Sequence, residues 1–167
     1  MILKNLTKNF YINLICIFLI FALDRISKIY VIYLSDKIYN SELFLSKFLN
    51  IVLIWNDGIA FGLFSFNKNS LYNFLTIIIS VVILIVFIMI TKNRGFKKYA
   101  LLMIFGGAIG NLYDRVIFKA VPDFIDFHIG EFHWFIFNVA DIFITLGVIF
   151  MILFELIGIN KANHEQI

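Results

Sequence analysis

The chain has 167 residues, 62% of them hydrophobic, with 21 phenylalanines and a formal charge of +3. Soluble domains run near about 45–50% apolar, so this composition points to lipid and leaves no length for a separate soluble module. One cysteine, Cys16, excludes an internal disulfide and a multi-thiolate metal site, and the basic residues fall in short clusters between apolar runs, which is a topology pattern rather than a nucleic-acid surface.

Crossing the hydrocarbon takes about 20 mostly apolar residues. Four stretches qualify, at roughly 10–34, 71–90, 99–116 and 137–157. The expected fold is an all-α polytopic membrane protein, a single domain over 1–167 with four transmembrane helices and a small extracytoplasmic β-element. Lys4 and Lys8 precede the first span in the manner of a signal peptide. Its apolar run is too long and lacks a small-x-small site, so the span is expected to be retained. Ile15 stands before Cys16 where a lipid-attachment cysteine needs a small residue.

After the first span, residues 48–55 are β-branched and aromatic and run into Asn56-Asp57-Gly58, which reads as a strand entering a turn. The second span is nearly pure Ile, Val, Leu and Phe. Lys92, Arg94, Lys97 and Lys98 crowd the short link to the third, which carries Gly106-x-x-x-Gly110, a close-packing pattern. The segment 118–136 holds Phe124, Ile125, Phe127, Trp134 and Phe135 and is the candidate partner for the first strand. Lys161 follows the fourth span. The positive-inside pattern puts both termini in the cytoplasm and the segments 35–69 and 118–136 outside, where aromatic residues suit the interfacial layer.

Ionised groups inside a bilayer cost about 2.5–3.5 kcal/mol each on insertion scales. The spans carry Asp24, Arg25 and Lys28, then Asp114 and Arg115, then Asp141. These groups must pair, reach the interface or line a wet cavity. Asp24 and Lys28 are four apart on one helix face, Asn111, Asp114 and Arg115 share another, and Asn138 and Asp141 a third. By this topology all three polar faces lie in the outer half of the membrane, on the side of Asn56 and Asp123.

Asp123 and Asp141 are the best-placed acids for catalysis. Two close carboxylates cannot both ionise, so one serves as acid while the other activates water. Pro122 stiffens the approach to Asp123. No metal ligand set is expected, since Cys16 is alone and His128, His133, Asp126 and Glu131 read as surface residues. Asp24 with Lys28 reads equally as a structural ion pair, Asp114 as a charge partner of its neighbour Arg115, and Asn138 as a cap on the fourth span.

Five motifs occur in order: Asp24-Arg25-Ile26-Ser27-Lys28; Asn56-Asp57-Gly58-Ile59-Ala60-Phe61-Gly62; Gly106-Gly107-Ala108-Ile109-Gly110-Asn111-Leu112-Tyr113-Asp114-Arg115; Val121-Pro122-Asp123-Phe124; and Phe137-Asn138-Val139-Ala140-Asp141. Over nearly its whole length the chain resembles the bacterial lipoprotein signal peptidases (signal peptidase II). The resemblance implies an aspartic endopeptidase of the bacterial inner membrane, with Asp123 and Asp141 as the catalytic dyad. Asn56, Gly58, Asn111, Arg115 and Asn138 would bind substrate or orient the dyad, with Asp24 and Lys28 supporting from the first span. The substrate would be a diacylglyceryl-modified prolipoprotein, cut before the lipidated cysteine by a monomer contacting membrane lipid and needing no metal, cofactor or nucleic acid. The rival from another class is a small proton- or ion-coupled transporter, which would spread polar groups through the membrane depth.

Overall fold

A computed structural model describes residues 2–58 and 69–164. The part of the second motif at Ile59-Ala60-Phe61-Gly62 lies outside the described residues. Among the described residues are four helices: α1 (Ile2–Ile38), α2 (Asn69–Lys92), α3 (Gly95–Phe118) and α4 (Val139–His164). Four strands, β1 (Glu42–Phe44), β2 (Leu49–Asn56), β3 (Val121–Ile129) and β4 (Phe132–Phe137), form one antiparallel sheet in chain order. The expected strand is β2, and the segment 118–136 does pair with it, through β3.

Among the described residues, three stretches are long and apolar enough to cross a membrane: Tyr72–Lys92, Gly95–Phe118 and Val139–Ile157. Helix α1 has 37 residues, about 55 Å at 1.5 Å per residue. Every helix runs past its expected bounds at one end or both, because apolar composition marks the hydrocarbon-length core of a helix and not its polar ends. The fourth is corrected at its start. Phe137 belongs to β4, where it sits opposite Ile125, and Asn138 precedes the first helical residue.

Helix α3 is the centre of the bundle, and its glycines explain how. A Cβ on Gly106 would lie 3.0 Å from the Ile20 side chain, and one on Gly110 would lie 2.5 Å from the Asp24 carboxylate, so both face α1. On Gly107 it would lie 2.5 Å from the Ala140 carbonyl oxygen, so this residue faces α4. Without side chains at these points, three helices approach closely enough for polar groups to meet.

The two ends of the bundle differ. Near the α2–α3 turn, Ile90, Leu101 and Leu102 form a buried apolar cluster against Cys16, Ile17 and Met151. At the other end the buried residues include Asp24, Lys28, Asn111, Asp114 and Arg115. The sheet joins the bundle there. Lys119, in the left-handed region at φ 59, ends α3, and Val121 starts β3. Strands β3 and β4 are joined by Gly130-Glu131, with Gly130 at φ 60, as a tight two-residue hairpin requires.

Candidate active site

Asp123 lies on β3 and Asp141 in the first turn of α4, and both line one cavity of about 350 Å³ between sheet and bundle. Asn56, Asn111, Arg115 and Asn138 line it too, with an apolar wall that includes Ile79, Ala108, Phe135, Phe137 and Ile144.

Each acid is held by asparagine amides. Asn56 Nδ2 donates to Asp123 Oδ2 at 2.8 Å, and Asn138 Nδ2 donates to Asp123 Oδ1 at 2.7 Å. Asn111 Nδ2 donates to Asp141 Oδ1 at 2.8 Å, and the Asn138 backbone N–H donates to Asp141 Oδ2 at 3.1 Å. An amide presents oxygen or nitrogen depending on what holds its other end. Here every amide oxygen is occupied by a donor. Asn56 Oδ1 accepts from Gly58 N–H at 2.9 Å, Asn111 Oδ1 from Lys28 Nζ at 2.9 Å, and Asn138 Oδ1 from Asp141 N–H at 3.1 Å. All three NH₂ groups are thereby turned toward the carboxylates.

Asn138 and Asp141 exchange side-chain and backbone bonds in the manner of a capping box at the start of α4. Asn138 is therefore both cap and donor to Asp123. Burial pushes the Asp123 carboxyl up from 3.8 to about 6, and the nearby Asp141 charge adds to this against the pull of the Asn56 and Asn138 bonds.

Behind the cavity lies a buried ion cluster. Lys28 Nζ donates to Asp24 at 3.0 Å and to Asp114 at 2.7 Å, and both acids are fully buried. Arg25 binds Asp114 through two parallel bonds of 2.5 and 2.6 Å and reaches Asp24 at 3.0 Å. Two acids and two bases leave the cluster neutral. It touches the site at two points: through Asn111, and through the Ala140 N–H, which donates to Asp24 Oδ1 at 3.1 Å.

This corrects the reading of Asp114. Its partners are Arg25 and Lys28, while the neighbouring Arg115 turns to the cavity and donates to the Gly58 carbonyl at 2.9 Å. Adjacent helical residues point about 100° apart, so Asp114 turns to α1 while Arg115 turns to the cavity. A signal existed: Asp24, Arg25 and Lys28 sum to +1 and call for one more acid from another helix. A second correction concerns the outer segment. Asp126 and His128, expected at the surface, are 3% and 8% exposed, because β2 and the β3–β4 hairpin enclose them.

The family profile described as signal peptidase (SPase) II matches residues 16–157. The chain belongs to the signal peptidase II family. It is 48% identical to a lipoprotein signal peptidase of Pelagibacter ubique, over 95% of this chain and 96% of that one. A lipoprotein signal peptidase of Anaplasma phagocytophilum is 39% identical, over 91% and 96%. A bacterial membrane enzyme solved by the in meso method at 1.9 Å superposes with a TM-score of 0.71 and 31% identity, over 86% of this chain and 92% of that one. Membership in the signal peptidase II family leaves the transporter reading without support. The helix faces agree: among the described residues, the buried charges of α1 and α3 gather at the sheet end of the bundle, while apolar packing fills the other.

Proposed function

We propose that the chain is an aspartic endopeptidase that removes the signal peptide from diacylglyceryl-modified bacterial prolipoproteins, cutting before the lipidated cysteine. The observation that carries this is the pair of carboxylates, Asp123 and Asp141, facing one cavity with each of their oxygens held by an asparagine N–H. One carboxylate takes a proton from water as that water attacks the scissile carbonyl. The other hydrogen-bonds the carbonyl oxygen and then protonates the leaving nitrogen. Such acid–base help is worth about 10²–10⁴ in rate. The raised Asp123 carboxyl suits the protonated role, although a coupled pair shares its proton. Arg115, whose Nε has no partner among the described residues, is a donor for the substrate backbone beside the dyad.

Helix α1 is the fourth span in this reading. Phe18, Ile26 and Ile29 along it are exposed and apolar, as lipid-facing residues are. Lys92, Arg94, Lys97 and Lys98 at the α2–α3 turn support a cytoplasmic position for that end and both termini, with the sheet at the outer face of the inner membrane. Trp55, Phe132 and Trp134, exposed on the sheet, would rest in the interfacial layer while the acyl chains stay in lipid.

The test is cleavage by purified protein in detergent, followed by mass, with diacylglyceryl-modified and unmodified prolipoprotein as substrates. Cleavage before the modified cysteine, lost in Asp123→Asn and in Asp141→Asn, is the expected result. Cleavage surviving either substitution sinks the dyad.

A further inference from the structure

Three metal-binding side chains meet outside the cavity, on the sheet. His128 of β3 and His133 of β4 are directly opposite each other in the ladder, and Asp126 lies two residues before His128. Potential ligand atoms of the three all lie within 4.8 Å of one another. Two of the three groups are buried, yet His128 Nδ1 has no hydrogen-bond partner among the described residues. A buried imidazole nitrogen without a partner is unusual unless something else fills its lone pair or takes its proton. Asp126 is held by a second residue, since Asn50 Nδ2 donates to its Oδ2 at 3.1 Å. That is the outer support a ligating carboxylate ordinarily has. His133 contacts both Asp126 oxygens at 2.9 Å, and its side chain is half exposed, which leaves a route in from solvent.

We propose that Asp126, His128 and His133 form a binding site for a divalent transition-metal ion of the zinc type, with water in the fourth position. Two imidazoles and one carboxylate suit Zn²⁺ and its neighbours, while Ca²⁺ and Mg²⁺ prefer oxygen alone. Zinc bonds of about 2.0–2.2 Å require ligand atoms closer together than the present spread. The half-exposed His133 ring supplies the movement, exchanging its contact with Asp126 for the ion. The nearly parallel His128 and His133 rings, 18° apart with centroids separated by 4.9 Å, would open slightly as it does. A bound ion would pin β3 to β4, the hairpin whose Phe135, Ile136 and Phe137 wall the cavity.

The experiment uses the full chain without an affinity tag, in detergent. Zn²⁺ is titrated by calorimetry and Co²⁺ by visible absorption. One ion per chain is expected, with the intense absorption of low-coordinate Co²⁺. His133→Gln, His128→Gln and Asp126→Asn should each weaken binding by at least about 100-fold, and Asn50→Ala by about 10–100-fold. Asp123→Asn should leave it unchanged. His133→Gln alters a half-exposed side chain and decides the matter even if the buried variants fail to fold. Folded wild type that takes up no stoichiometric ion, or His133→Gln that binds as the wild type does, overturns the proposal. Cleavage plays no part in this readout, so it stands or falls apart from the peptidase reading.

Discussion

Replacing Lys28 by Met keeps the aliphatic stem and removes a charge from a site with no exposure to solvent. Three bonds go, to Asp24, Asn111 and Asp114. Two buried carboxylates then share the single charge of Arg25, which is already bound at two points to Asp114. Asp24 is left the poorer, holding one bond from Arg25 and one from the Ala140 N–H. Leaving a buried charge uncompensated costs about 3–5 kcal/mol. The loss is measured as unfolding in detergent, with the double variant Lys28→Met/Asp24→Asn beside it. The second change restores neutrality and keeps an oxygen for the Ala140 N–H. It should recover most of the loss. A single variant within about 1 kcal/mol of wild type, or a double no better than the single, refutes the account of the cluster as a balanced charge network. Cleavage should fall in the single variant as well, because Asn111 loses the donor that fixes its amide.

Further outcomes follow from the same contacts. Asp123 titrates near 6 when folded and near 3.8 otherwise, so the folded state holds an extra proton between these values and stability falls as pH rises through the window. Unfolding midpoints from about pH 4 to 7 should show that slope in wild type and lose it in Asp123→Asn. Gly107→Ala puts a methyl group against the Ala140 carbonyl and the Ile144 side chain, so a destabilisation of about 1–3 kcal/mol and impaired cleavage are expected, while Gly95→Ala, in open space but at φ 61, should cost about 1–2 kcal/mol of backbone strain and leave cleavage intact. Asn138→Ala removes the cap of α4 and a donor to Asp123. It should cost about 0.5–2 kcal/mol and move the Asp123 titration upward, because the lost bond favoured the ionised form.

Three of the four expected spans, at 71–90, 99–116 and 137–157, were legible because lipid demands a length and a composition that little else in so short a chain imitates. Their ends were not. Phe137 is as apolar as the helix that follows it, and only the ladder partner Ile125 assigns it to a strand. Strand β1 has three residues and too little pattern to read. Among the polar residues, Asp24 and Lys28 pair as their four-residue spacing suggests, since that relation is local. The Asp114 pairing with Arg25 crosses 89 residues, so composition could demand a partner without naming it. Asp126 and His128 were misjudged for a similar reason. A polar residue in an outer segment is exposed by default, and the register that encloses these two is a property of three strands at once.

The ion cluster also sets an order of events during synthesis. Lys28 waits 86 residues for Asp114, and Asp24 waits 116 for the Ala140 amide. At ordinary rates of translation the first interval is on the order of 4–17 s. Through that time α1 holds a net positive turn without the Asp114 that balances it in the folded protein. The turn has to be tolerated near the membrane surface until α3 arrives. A ribosome stalled before α4 would leave a product with these charges balanced but without Asp141, so on the proposed mechanism cleavage waits for the last helix.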